Sequence, residues 1–238
     1  PGKFDRPGIY ADPGGWGYGD DVERYLSFQQ AVLQWVANSP GRPDVLHCHD
    51  HHTGLIPFMV KHCPEYKSLS RIPTVFTIHN GMYHGAFSWE KFFLLPFFDV
   101  AAGVKCAWRV TTVSNSYLEE LRYQSNGMES LFWHEQHKCV GILNGIDAQV
   151  WNPRHDPYIA AQLQDEDIDA FKGENKQALR RSFNFDTSPP LISFIGRLVM
   201  EKGADLIHDL IRKDIYSGMR DKFNNLGTGK GWLERDIE

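Results

Sequence analysis

Five short apolar runs, each set ahead of a polar or irregular loop and a later stretch of helical spacing, most constrain how this chain folds. They are DVLHCH, IPTVFTIHN, RVTTV, KCVGIL and LISFI. Runs of this length suit strands, and several are apolar nearly end to end, as in a parallel sheet covered on both faces. Strands alternating with helices predict an α/β fold. In open sheets of this class, ligands meet the carboxyl ends of the strands, so the loops after each run matter most.

The run Leu191 to Ile195 shows the pattern most fully. Gly196 ends it, a polar loop carries Arg197, Glu201 and Lys202, and Leu206, Ile207, Leu210 and Ile211 then recur at helical spacing. A buried strand, a loop and a helix follow, with two cations at the strand's carboxyl end. Such a place favours an anion, so Arg197 and Lys202 are placed to meet a phosphate. The plainer alternative is two solvated loop cations.

Helix signals fill the gaps. Asp20 with Glu23 reads as a capping box ahead of Val22, Leu26, Leu33 and Val36. Pro57 must sit in the first turn of LIPFMVKHC or kink it. Ser114 or Ser116 caps YLEELRYQ, with Glu119 in capping-box position to Ser116. Residues 82 to 100 are loop-like and rich in Phe and Trp, a stretch that fills a core or lines a sugar- or base-binding surface. A linker-like segment from about Asp147 to Ala170, with WNPRHDP and DEDID, divides the chain into two units.

A net charge of −5 argues against nucleic acid or an anionic membrane as partner. No apolar run approaches the roughly 20 residues of a membrane helix, and the amino terminus has no apolar signal core. The four cysteines are widely spaced, without CxxC, and read as reduced thiols in a reducing compartment.

The densest polar cluster is His47-Cys48-His49-Asp50-His51-His52. A metal site is one reading. The HxHxDH pattern of metal-dependent hydrolases needs Asp at position 51, however, and here it stands at 50, so His47, His49, His51 and His52 are not expected to share an ion. The other readings are packing histidines, or Asp50 as a polar ligand at a strand end. His79-Asn80 ends the next run, where a histidine can act as a base or donate to a substrate hydroxyl. No Gly-x-Ser-x-Gly elbow, Walker loop or GxGxxG occurs.

Taken together, RPGIYADPGG, PDVLHCHDHHTGLIP, IPTVFTIHNGMYHGAF, RVTTVSNSYLEEL, GILNGIDAQVWNPRHDP and FIGRLVMEKGADL resemble, in order, the glycogen and starch synthases. These are retaining glucosyltransferases of GT-B fold, with two Rossmann-like parallel-sheet domains. The resemblance implies most of the first domain in residues 1–165, without its first strand, and the start of the nucleotide-sugar domain in 166–238. It implies Asp50, His79 and Asn80 as catalytic-site residues, facing Arg197 and Lys202, which hold the donor diphosphate. The donor is then ADP-glucose or UDP-glucose and the acceptor an α-1,4-glucan. No metal or other cofactor is implied, and the setting is the cytoplasm of a bacterium or a plastid. A Lys-x-Gly-Gly loop and most of the second domain lie outside the 238 residues, which predicts a parent about twice as long and no catalysis by this stretch alone. A non-catalytic glucan- or partner-binding fragment, and a metal-dependent hydrolase built on the histidine cluster, stay open as alternatives.

Overall fold

The four apolar runs nearest the amino terminus lie side by side. In the computed structural model they form β1 (Leu46–His49), β2 (Thr74–Ile78), β3 (Arg109–Thr112) and β4 (Cys139–Gly141), paired in that order. Every pairing is parallel, with Cys48 opposite Phe76, Phe76 opposite Val110 and Val110 opposite Cys139. Parallel neighbours need a crossover. Helix α2 (Ile56–His62) lies between β1 and β2, α3 (Asp99–Cys106) between β2 and β3, and α4 (Asn115–Tyr123) with α5 (Glu129–His134) between β3 and β4; α1 (Asp21–Asn38) precedes them all. The structure describes residues 2–9, 12, 17–82, 99–185, 191–198, 202–217 and 222–226. The aromatic stretch from 83 to 98, the turn at 187–190, Glu201 and the last twelve residues lie outside these.

The helices form where side chains supply the missing end bonds, though not always as the sequence suggests. Ser114 caps α4, its hydroxyl accepting from the Tyr117 N–H at 2.9 Å. Pro57 sits in the first turn of α2. Two capping boxes are absent. Asp20 flanks α1 but caps nothing, because its carboxylate accepts from the Arg6 guanidinium instead. Ser116 lies inside α4, and Glu119 pairs with Arg122. A cation draws the Asp20 carboxylate away from the main chain, whereas Ser116 starts no box because Ser114, two residues earlier, is the N-cap and leaves Glu119 beyond the first turn.

Helices and sheet bury one core in this region, with Leu33, Leu69, Phe76, Ile78, Val110 and Phe132 fully enclosed. Burial of this kind contributes about 25 cal/mol per Å² of apolar surface. All four cysteines are free thiols, and burial pushes Cys48 up to about 12, which leaves it inert.

The chain divides into two compact units, Pro1–Arg6 with Gly17–Gly145, and Pro7–Trp16 with Ile146–Glu238. The second opens with turns held by side chains: Asp147 Oδ1 accepts from Gln149 and Val150 N–H, and Asn175 Oδ1 accepts from those of Ala160 and Ala161. Asp167 caps α6 (Ile168–Ser182) through the Ala170 N–H. Strand β5 (Leu191–Ile195) pairs in parallel with β6 (Lys222–Leu226), and α7 (Ala204–Ser217) joins them. Here the sequence misleads in one respect. β5 is not a buried strand: Ile192 and Ile195 are 38% and 77% exposed. Its described surroundings offer only a small cluster of Leu198 and Ala204 with Phe194 and Ile207, too little to cover both faces. No helix among the described residues is long and apolar enough to cross a membrane.

Candidate active site

The carboxyl edge of the first sheet turns sharply at Asp50. Its backbone takes φ 53° and ψ −173°, ground that residues other than glycine rarely occupy, at a cost of order 1–3 kcal/mol. Three interactions hold it there. The Asp50 N–H donates to the Thr77 carbonyl at 2.9 Å, extending the ladder one residue past β1. Thr53 Oγ1 accepts from the His49 N–H at 2.5 Å and donates to the His49 carbonyl at 2.7 Å. Gly54 then passes so close to α3 that a Cβ there would lie 2.2 Å from the Asp99 carbonyl oxygen, so no larger residue fits.

The turn aims the Asp50 carboxylate at the end of β2. Its Oδ1 accepts from the His79 N–H at 2.8 Å and the Asn80 N–H at 3.3 Å. The side chain of Asn80 closes its own turn by accepting from the Met82 N–H at 3.0 Å, and Tyr117 Oη accepts from the Gly81 N–H at 2.7 Å. The His79 ring is exposed and lies beside His49, whose Nδ1 is 3.1 Å from His79 Nε2. With both rings neutral, one donates and the other accepts, so the pair shares one proton and fixes both tautomers together. Burial, and then the nearby His47 and His79, push His49 below the usual imidazole range, which favours the neutral ring.

The six-residue polar cluster divides by face. The rings of His47 and His49 lie 4.1 Å apart, mutually tilted, on one side of β1, and His47 Nε2 meets Thr77 Oγ1 at 2.7 Å. The rings of His51 and His52 lie 3.8 Å apart, mutually tilted, in the following turn, edge-on to Tyr25. Burial pushes His51 down to about 4. Among the described residues, no three His, Cys, Asp or Glu side chains gather in an arrangement that could hold a metal ion.

In the second unit, Gly196 leaves β5 and the chain runs through Arg197 to the buried Leu198. After the undescribed positions it returns at Lys202 and Gly203, and Gly203 takes φ 69° immediately before α7. Leu198 and Ala204 are sealed inside while Arg197 and Lys202 are exposed. Both ends of the loop are thus anchored by apolar side chains, with its two cations turned to solvent. The first unit therefore unites Asp50, His79 and Asn80, and one loop of the second unit carries Arg197 and Lys202.

A family model described as the starch synthase catalytic domain matches residues 1–134, more than half of the chain. The chain belongs to that family. A glycogen synthase of Flavobacterium johnsoniae is 48% identical over 219 residues, covering 86% of this chain and 45% of that protein. One from Anoxybacillus flavithermus is 35% identical over 260 residues, covering 98% and 51%. The solved catalytic domain of starch synthase IV from Arabidopsis thaliana, bound to ADP and acarbose, superposes with a TM-score of 0.75 at 29% identity, covering 98% of this chain and 52% of that one. The α/β architecture is thus of GT-B type. The chain spans about half the length of the relatives it matches.

Within this starch synthase domain, sequence reasoning passed over three contributors to the edge. His49 reads in the sequence as a metal ligand or a packing histidine, and the structure sets its ring against His79. Thr77 and Tyr117 were not singled out. A signal for the first existed: His47 and His49 stand two apart on a strand and so share a face. Tyr117 carried none, since its phenol reaches the Gly81 amide across 36 residues of sequence.

Proposed function

We propose that the protein to which this chain belongs transfers glucose from a nucleotide sugar, ADP-glucose or UDP-glucose, to the non-reducing end of an α-1,4-glucan with retention, in the cytoplasm. One observation carries the site assignment: a single carboxylate oxygen of Asp50 accepts from the main chain of both His79 and Asn80. In a member of the starch synthase family, that bond ties the three candidate residues into one constellation at a strand edge where α/β folds bind ligands. The ADP and acarbose bound to the Arabidopsis relative support a nucleotide diphosphate and an oligosaccharide as ligand classes.

In this reading the exposed His79 ring and the Asn80 turn contact the reacting glucose, and Asp50 holds both in place. Arg197 and Lys202 grip the donor diphosphate. As the glycosidic bond breaks, the departing diphosphate gains negative charge. Two preplaced cations stabilise that charge more in the transition state than in the ground state. They supply the charge for which a metal would otherwise serve, so activity should persist in EDTA.

The test is release of nucleoside diphosphate with glycogen as acceptor. Arg197→Ala and Lys202→Ala should each lower kcat about 100-fold, with a smaller rise in KM. Lys202→Arg should recover only part, because a planar fork does not reproduce a compact ammonium. Near-normal kcat in both alanine variants would sink the assignment.

A further inference from the structure

At the opposite, amino-terminal edge of the first sheet lies a second concavity. It is a pocket of about 530 Å³ whose walls include the starts of β2 and β3, at Thr74 and Arg109. β2 advances four residue steps from Thr74 to Ile78, roughly 13 Å at the usual strand rise. The pocket is therefore separate from the Asp50–His79 edge. Its size suits a small molecule.

Its charge is one-sided. Lys61, Arg71, Arg109, His137 and Lys138 line it, and among the described residues no Asp or Glu does. In a chain of net charge −5, chance placement would favour carboxylates. Fold requirements account for two of the five. Lys138 pairs with Glu135 and donates to the Lys105 and Ala107 carbonyls at the end of α3, and Lys61 lies in the last turn of α2, where a cation is favoured. Arg71, Arg109 and His137 have no such structural task. Among the described residues none of them forms an ion pair with a carboxylate, and all three are exposed. Arg109 is also preorganised: its guanidinium stacks 4.3 Å over the Trp108 ring and donates to the Trp108 carbonyl at 3.0 Å, which leaves the rest of its donors available.

We infer that this pocket binds a small phosphate-bearing molecule, held by the planar forks of Arg71 and Arg109 with Lys61 and His137 at its rim. Arginine forks match phosphate oxygens two at a time, and two of them around a concave wall give a site rather than a diffuse patch.

Cys106 lines the same pocket and reports on its occupancy. The probes are inorganic phosphate and glucose 1-phosphate, added to purified protein at constant ionic strength, with chloride as control. Iodoacetamide alkylation of Cys106, followed by peptide mass spectrometry with Cys63 as internal reference, should slow at least threefold with either phosphate and not with chloride. The double variant Arg71→Ala/Arg109→Ala should lose this protection, whereas Arg197→Ala/Lys202→Ala should keep it, separating this pocket from the donor site. If the alanine pair does not unfold cooperatively, Arg71→Lys/Arg109→Lys takes its place, and its protection should be weakened. Unchanged Cys106 reactivity with both phosphates would overturn the inference. So would equal protection by uncharged maltotriose, or protection that survives in the double variant.

Discussion

Strands β2 and β5 are written in nearly the same alphabet, TVFTI and LISFI, and meet opposite fates. In β2, Phe76 and Ile78 are wholly enclosed, while in β5 Ile195 is 77% exposed. The difference lies in the neighbours. β2 is flanked by strands on both sides and covered by helices, whereas β5 pairs with β6 and shares a small cluster with α7. An apolar pentapeptide encodes a strand. Its burial is a property of what packs on it, and the same letters contribute stability in one unit and little in the other.

The largest expected effect sharpens that contrast. Phe76→Ala empties the centre of the first unit and should cost about 3–5 kcal/mol, read as a shifted urea midpoint with an unchanged slope. A loss under 1 kcal/mol would mean the core is looser than its zero exposure states.

Next come the charges that only an interior can perturb. Glu135 is buried, which alone would raise its pKa, but bonds from Lys105 at 2.6 Å and Lys138 at 2.8 Å outweigh burial and hold it at about 2. A depressed carboxylate contributes stability above its ordinary pKa near 4.5, and loses it as pH falls through about 2. Glu135→Gln should therefore cost roughly 2–3 kcal/mol at pH 7, with the gap to wild type closing toward pH 2 in acid-titrated denaturation. A gap that stays constant across that range would remove the ion pair from the account.

Asp99 carries the opposite sign. Burial raises it to about 8, and its Oδ1 has no hydrogen-bond partner. The folded state then prefers the protonated form, so its penalty grows as pH rises above the ordinary carboxylate value and is complete above about 8. Asp99→Asn should stabilise by on the order of 1 kcal/mol at pH 8 and by less at pH 5. Equal melting shifts at the two pH values would defeat this.

The smallest effect belongs to β5. In the 238-residue chain, Ile195→Ala should change stability by no more than about 0.5 kcal/mol. A loss like that of Phe76→Ala would show β5 buried after all and erase the comparison.

These contrasts mark what was legible in the sequence. The strands were, because each apolar run is bounded by polar or turn residues. So was the strand-edge position of Asp50 and His79, since parallel topology places those loops on one side. The cap at Asp20 was misread because a carboxylate chooses among partners the local pattern does not show; Arg6 lies 14 residues from Asp20. The box at Glu119 was misread because α4 starts two residues earlier, at the Ser114 cap. The exposure of β5 was hidden for a similar reason, since the letters of a strand do not name its cover. The His49–His79 contact lay between, visible as a shared strand face but not as a bonded pair.

One feature of the first sheet bears on how finely its edge is set. Parallel strands can slide by two residues and keep the same faces inside, so apolar burial alone tolerates a slip. The side chains of His47, Thr77 and Thr111 forbid it: they join three strands in a polar rung, 2.7 Å and 2.6 Å from atom to atom. A two-residue slip would break the rung and carry Asp50 roughly 6.6 Å along its neighbour, beyond the His79 amide. The rung thus works as an index pin, converting a translational freedom of the sheet into a fixed distance at its working edge.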